Sequence, residues 1–232
     1  RFEQTLTDRL FGGIGGCLTV NNATTGLIIA IHEAAPRGQG RRLALMPSFT
    51  FAATAHAALW AGLTPLLCDI DPETWSMSPN AEDALLGAHA GEIACIVPYA
   101  CFGNGLDLQR YARIAQQTGI GVVIDAAASL GSQHEDGRAF GAGFPHAVVF
   151  SMHATKSFAT GEAGVIHCGD AERLARLRTM GNFGFGRSRE ATMPGLNSKL
   201  SELGALLGLA KLHDFEEIVR HRDAIAAFYR RN

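Results

Sequence analysis

Seven short, continuously apolar runs punctuate this chain, at residues 17–20, 43–47, 64–70, 92–100, 121–126, 146–151 and 164–168. Gly, Pro or polar residues bound each one, which is how strands buried on both faces read. Between the runs lie longer stretches with helical signatures. Residues 24–35 follow Thr24 and Thr25, 51–61 is rich in alanine, 79–88 opens at Pro79, and 107–118 stops before Gly119. Ser78 and Asp107 stand where N-caps belong, and Glu82 and Asp83 fall in the first turn after Pro79. This alternation predicts an α/β fold: a mostly parallel seven-stranded sheet with right-handed crossovers and flanking helices.

After Gly169 the texture changes. Residues 170–180 read as a basic helix and 181–198 as a Gly-rich, Arg-containing loop. Two amphipathic helical stretches follow, about 200–212 and 214–231, and the chain ends in FYRRN without a capping Gly or closing strand. The expected division is a large domain over 1–199 and helices over 200–232 that lead into a C-terminal small domain, largely absent. No internal repeat interrupts this order.

Composition narrows the partners. Twenty Lys+Arg against 22 Asp+Glu leave a formal charge of −2, with no basic stripe for nucleic acid or an anionic membrane. No apolar run reaches the ~18 residues of a membrane span. The N-terminal RFEQTLTDRLFGG is too charged for the apolar core of a leader. Cys17, Cys68, Cys95, Cys101 and Cys168 are odd in number and form no C-x-x-C, which predicts buried free thiols in a reducing cytoplasm. The histidines form neither an i,i+4 pair nor H-E-x-x-H, so no metal site is expected. GGIGG at 12–16 precedes its strand instead of following it, unlike a dinucleotide fingerprint, and no G-x-x-x-x-G-K-[ST] is present.

Ligands of open α/β sheets collect beyond the carboxyl ends of the strands. The residues predicted there are Thr24 and Thr25, Asp69 and Asp71, Asp125, and the loop Ser151 to Lys156, which includes His153 and Thr155. A lysine directly after a buried strand is costly unless exposed or neutralised, and a Schiff base removes its charge while making the amine a covalent anchor. Asp125 closes a very apolar strand, where a carboxylate needs a cationic partner. A protonated pyridine nitrogen is one such partner, and that pairing makes pyridoxal phosphate (PLP) an electron sink.

Several segments, in order, resemble the PLP-dependent nucleotide-sugar aminotransferases of the DegT/StrS type. They are VNNATTGLIIAI, PSFTFAATAHAALWAGLTPLLCDIDPETW, VVIDAAASLGS, FSMHATKSFATGEAGVI and PGLNSKLSELGALLGLAKL. The resemblance runs over essentially the whole chain. It implies that Lys156 holds PLP and shuttles a proton, and that Asp125 pairs with the ring nitrogen. Ser151 and the backbone amides of Thr24 and Thr25 would hold the phosphate, and Phe51 would stack on the ring. Asn197 would reach the phosphate of the other subunit's site, which implies a homodimer with shared active sites. The implied substrates are an amino acid, glutamate by family habit, and a keto-sugar nucleotide.

Two positions depart from the family pattern. Asp125-Ala126-Ala127-Ala128 stands where the family has D-A-A-Q or D-A-A-H, so a polar contact to the cofactor's phenolic oxygen is missing or supplied elsewhere. Ala23 stands where Gly is common. Two alternatives stay open: a PLP-dependent sugar dehydratase, against which Lys156 argues because some of those enzymes carry His there, and a non-catalytic PLP-binding or regulatory relative. Part of the 47% apolar content is then surface for a second subunit.

Overall fold

The computed structural model describes residues 1–36, 40–134 and 136–231; Asn232, the last residue of the expected C-terminal segment, lies outside them. Its centre is a seven-stranded sheet of β1 (Gly16–Val20), β2 (Leu43–Pro47), β3 (Thr64–Cys68), β4 (Ile93–Ile96), β5 (Gly121–Asp125), β6 (Ala147–Ser151) and β7 (Gly164–Cys168). Their spatial order is β1-β7-β6-β5-β4-β2-β3. β2 to β6 pair in parallel, whereas β7 runs antiparallel to both β6 and β1. The reason is local: the 152–163 connection carries no crossover helix, so the chain turns back beside β6. The expected mostly parallel, seven-stranded sheet is what forms, with this one reversal.

Helices cover both faces. α2 (Ala23–Ala34), α3 (Ala52–Trp60) and α6 (Ala171–Met180) lie on one side. There Leu27, Ile31, Ala57 and Leu177 pack against Val20, Val97, Val123 and Val149. α1 (Phe2–Leu10), α4 (Pro79–Ala88), α5 (Leu108–Thr118) and α7 (Glu202–Arg231) cover the other. On that side Leu6, Tyr111, Ile114, Leu212 and Phe215 meet Ile96, Val122, Ile124 and Phe150. Successive strand residues point to opposite faces, so a strand buried on both sides must be apolar throughout.

Three differences from the sequence reading have physical causes. Residues 202–231 form one 30-residue helix, where two stretches were expected. His213 and Asp214 at the predicted break lack the Gly or Pro that ends a helix, and they sit exposed on its outer face. The N-terminal residues form α1, a charged helix that buries only Phe2, Leu6 and Thr7. The runs 64–70 and 92–100 give shorter strands, because Asp69 and Pro98 end the ladder: an exposed carboxylate and a residue without an N–H. Among the expected caps, Asp107 accepts from the Arg110 amide, while Ser78 holds the N-cap position of α4 without a side-chain hydrogen bond.

Candidate active site

The carboxyl ends of β1 to β6 converge on one edge, and the amino end of β7 joins them. Gly164 pairs with Val20 of β1 and with Ser151 of β6. A Cβ at Gly164 would lie 2.7 Å from the Ala23 nitrogen, so only glycine lets β7 meet the start of α2. The amino terminus of α2, with its unpaired first-turn amides and positive dipole end, is thereby set beside Ser151.

Asn22 caps α2: its Oδ1 accepts from the Thr25 amide at 2.9 Å. The Thr25 hydroxyl is bonded to Asn21 and Asn22. The Thr25 amide is therefore engaged within the chain, and the amides of Ala23 and Thr24 are the ones this cap leaves for an anion. Ser151 is buried, and its Oγ accepts from the His153 amide at 3.2 Å, which leaves its own proton to donate.

Asp125 is only 2% exposed. Its Oδ2 accepts from the Thr54 hydroxyl at 2.6 Å and its Oδ1 from the Ala127 amide at 3.1 Å. Thr54 in turn shares a 2.7 Å hydrogen bond with Thr50 one helical turn earlier. Burial pushes the carboxyl of Asp125 up; the Thr54 hydroxyl, the Ala127 amide and the charge of Lys156 act against that. Among the described residues no ion pair reaches Asp125.

Lys156 is half-buried in the β6–β7 connection, where its amide donates to the His153 carbonyl at 2.9 Å. The connection is pinned at several points. Met152 and Ala154 donate to Ala163 and Gly161, and the Ser157 hydroxyl donates to the Leu130 carbonyl. Buried Phe158 packs edge-on against Phe215 of α7 at 5.1 Å. His153 belongs to the scaffold of this loop, bonded to Thr155 at 3.0 Å and facing Glu162 at 3.4 Å. Phe51 caps the start of α3 with its ring 73% exposed.

The structure thus gathers Asp125, Lys156, Ser151 and the start of α2 on one edge, with Phe51 at the start of α3, three residues before the Thr54 that bonds Asp125. Asn197 stands apart: it is exposed and bridges Asn182, and among the described residues no contact links it to Asp125 or Lys156. Sequence reading missed Asn22 and Thr54. The visible signal for Thr54 was the Thr50/Thr54 pair, two hydroxyls spaced i,i+4 at a helix start. Among the described residues no group of three His, Cys, Asp or Glu is arranged to hold a metal, and no helix is long and apolar enough to cross a membrane.

Such a site suits an anionic ring compound: a buried carboxylate awaits a cation, a lysine stands beside it, and amides with a serine hydroxyl offer an anion cradle. The fold is that of the large domain of a PLP-dependent transferase. Family comparison agrees: residues 1–232 match the DegT/DnrJ/EryC1/StrS aminotransferase family, and the chain belongs to it. It is 34% identical to dTDP-4-amino-4,6-dideoxy-D-glucose transaminase of Shigella dysenteriae, over 99% of this chain and 60% of that protein. It is 30% identical to UDP-2-acetamido-2-deoxy-3-oxo-D-glucuronate aminotransferase of Pseudomonas aeruginosa, over 97% of this chain and 61% of that one. A crystal structure of a putative PLP-dependent aminotransferase from Bacillus cereus superimposes with a TM-score of 0.95 at 38% identity, covering 100% of this chain and 62% of that one. The chain spans about 60% of the length of these relatives. Pyridoxal phosphate is the cofactor that the family implies, and the carboxylate without an ionic partner at Asp125 fits its ring nitrogen.

Proposed function

We propose that this chain is the cofactor-binding part of an aminotransferase that moves an amino group from an amino acid, glutamate in our reading, to a keto-sugar nucleotide. The observation that carries the reading is a buried Asp125 at the carboxyl end of β5, paired with the β6 strand whose end leads directly into the Ser151–Lys156 loop. The named relatives that act on dTDP- and UDP-linked sugars support the substrate class. Bound here, the cofactor would supply an electron sink for the pair left when a proton leaves the donor carbon.

The chain's own groups do the rest. The Asp125 carboxylate would keep a proton on the ring nitrogen, and Thr54 and Ala127 fix the direction in which it accepts. Ser151 and the amides of Ala23 and Thr24 would hold the phosphate, and Thr25 shapes the turn through Asn22. Phe51 would stack on one ring face. Lys156 would hold the cofactor covalently, and its Nζ, when free, would take up the proton from the donor carbon. Asn197, exposed on the β1 side, would reach a second subunit's phosphate, which makes the working unit a homodimer with shared sites. Five free, buried cysteines suit a reducing cytoplasm.

The test is spectroscopic. Cofactor-loaded protein treated with glutamate should lose its visible absorbance and regain it on addition of a keto-sugar nucleotide. If only a keto acid restores the spectrum, the sugar assignment fails.

A further inference from the structure

Beside the candidate active site, three aromatic rings stand exposed on the same edge of the sheet. Phe49 follows β2, Trp75 lies in the loop after β3, and Phe102 lies in the loop after β4; they are 41%, 41% and 71% exposed. The rings form a closed triangle, with centroids 5.0 Å apart for Phe49–Trp75, 5.8 Å for Trp75–Phe102 and 6.3 Å for Phe49–Phe102. Exposing three large rings runs against the hydrophobic effect, and such a patch marks a surface that binds something.

The patch is also built. Trp75 (φ 61°) and Phe102 (φ 52°) both hold left-handed backbone, where non-glycine residues rarely sit. Asp71 fixes the Trp75 loop by accepting from the Glu73 and Thr74 amides at 3.0 and 2.8 Å. The Asn104 side chain reaches across to the Thr74 carbonyl at 3.5 Å, and Phe102 lies three residues after buried Tyr99. Tyr99 is in register with Asp125. Phe49 precedes Thr50, which leads through Thr54 to Asp125. The platform is therefore continuous with the reacting centre.

We propose that Phe49, Trp75 and Phe102 form a stacking platform for the heterocyclic base of a sugar nucleotide. The inference rests on the sugar-nucleotide reading above and assigns one end of that substrate. A flat heterocycle gains from aromatic faces what an amino-acid donor does not. Asp69, Asp71 and Glu73 border Trp75, and their charge repels a diphosphate, so the uncharged end of the ligand is the one that lies here.

The test uses the full chain carrying Trp60→Phe, which leaves Trp75 as the only indole. Thymidine, uridine and guanosine diphosphates are titrated one at a time, with pyrophosphate as the probe lacking a base. At least one nucleotide should quench Trp75 fluorescence and pyrophosphate should not. Phe102→Ala and Phe49→Ala should each weaken that nucleotide about tenfold or more, as loss of a base-stacking partner does. Phe102→Leu, which keeps bulk but removes the ring, should show the same loss in a protein whose melting temperature is held. Affinities that stay within about twofold, or equal quenching by pyrophosphate, would overturn the proposal. So would variants that change sedimentation but not nucleotide affinity, since the patch would then be a subunit contact. If no nucleotide binds while sugar nucleotides still restore the spectrum after glutamate, the platform is wrong and the functional reading stands. If nucleotides bind at the platform but no sugar nucleotide restores it, the converse holds.

Discussion

The Thr54 hydroxyl donates a 2.6 Å hydrogen bond to Asp125 Oδ2, joining the first turns of α3 to the carboxyl end of β5. That single bond both aims the carboxylate and supports its charge in a buried place. Thr54→Val keeps the shape and removes the donor. Leaving a buried carboxylate short of a partner should cost about 1–3 kcal/mol of stability, read by urea denaturation. The affinity for pyridoxal phosphate should fall by about tenfold or more, and Thr54→Ser should restore most of it.

Asp125 also sets a pH dependence in the protein free of cofactor. Burial raises its folded-state pKa above the ordinary 3.8. The folded form therefore holds its proton to higher pH than the unfolded form. The stability this contributes is fully present below 3.8 and is lost as pH rises through the folded value. Urea midpoints of wild type and Asp125→Asn should diverge in that direction above pH 3.8, with the variant flatter. Parallel midpoints across the range would contradict the burial argument.

Two histidines act in the opposite sense. Burial pushes His167 and His146 down to about 4. His167 is fully buried, stacks on Phe11 at 4.0 Å and accepts from the Gly143 amide at 3.2 Å. A base whose folded pKa is depressed binds its proton better when unfolded, so stability falls as pH drops from 6.5 to about 4. The loss from His167 alone is on the order of 3 kcal/mol. His167→Gln, which keeps an acceptor for Gly143, should flatten that part of the pH–stability curve.

Much of this was legible in the residues, and the reasons are particular. The apolar runs read as doubly covered strands, which holds at every position of β4 to β7 but not at the edge strand β3, where Thr64 and Leu67 are exposed; Asp125 and Lys156 were conspicuous because a charge next to such strands needs an explanation. The reversal of β7 was hidden, because a strand's direction depends on the length and content of the loop before it. The unity of α7 was hidden because amphipathic periodicity survives a polar pair such as His213 and Asp214. Asn22 was passed over because two threonines after it looked like the anion site, and only the cap geometry shows which amide it takes. Thr54 was hidden because its partner lies 71 residues away.

Away from the site, Glu82 is buried and meets Arg110 at 2.8 Å, and Arg110 also reaches Asp83 at 2.7 Å. Arg110→Ala strands the Glu82 charge and should cost about 3–5 kcal/mol. Adding Glu82→Gln should recover part of it, measured by urea denaturation; no recovery would show that the loss is one of packing alone.

Gly164 provides the last structural check. Gly164→Ala would drive a methyl against the Ala23 nitrogen and push β7 from α2. A cost of about 1–3 kcal/mol is expected, with weaker phosphate retention read as faster loss of the cofactor on dialysis.

Lys156 should be the residue that holds pyridoxal phosphate covalently. The chain has three lysines, Lys156, Lys199 and Lys211, so the anchor can be assigned without ambiguity. Pyridoxal phosphate is added, the adduct is fixed with borohydride, and the labelled peptide is identified by mass spectrometry. The label should fall on Lys156 at one per chain and vanish in Lys156→Ala. Equal labelling of Lys199 or Lys211, or full labelling of the alanine variant, would contradict the account.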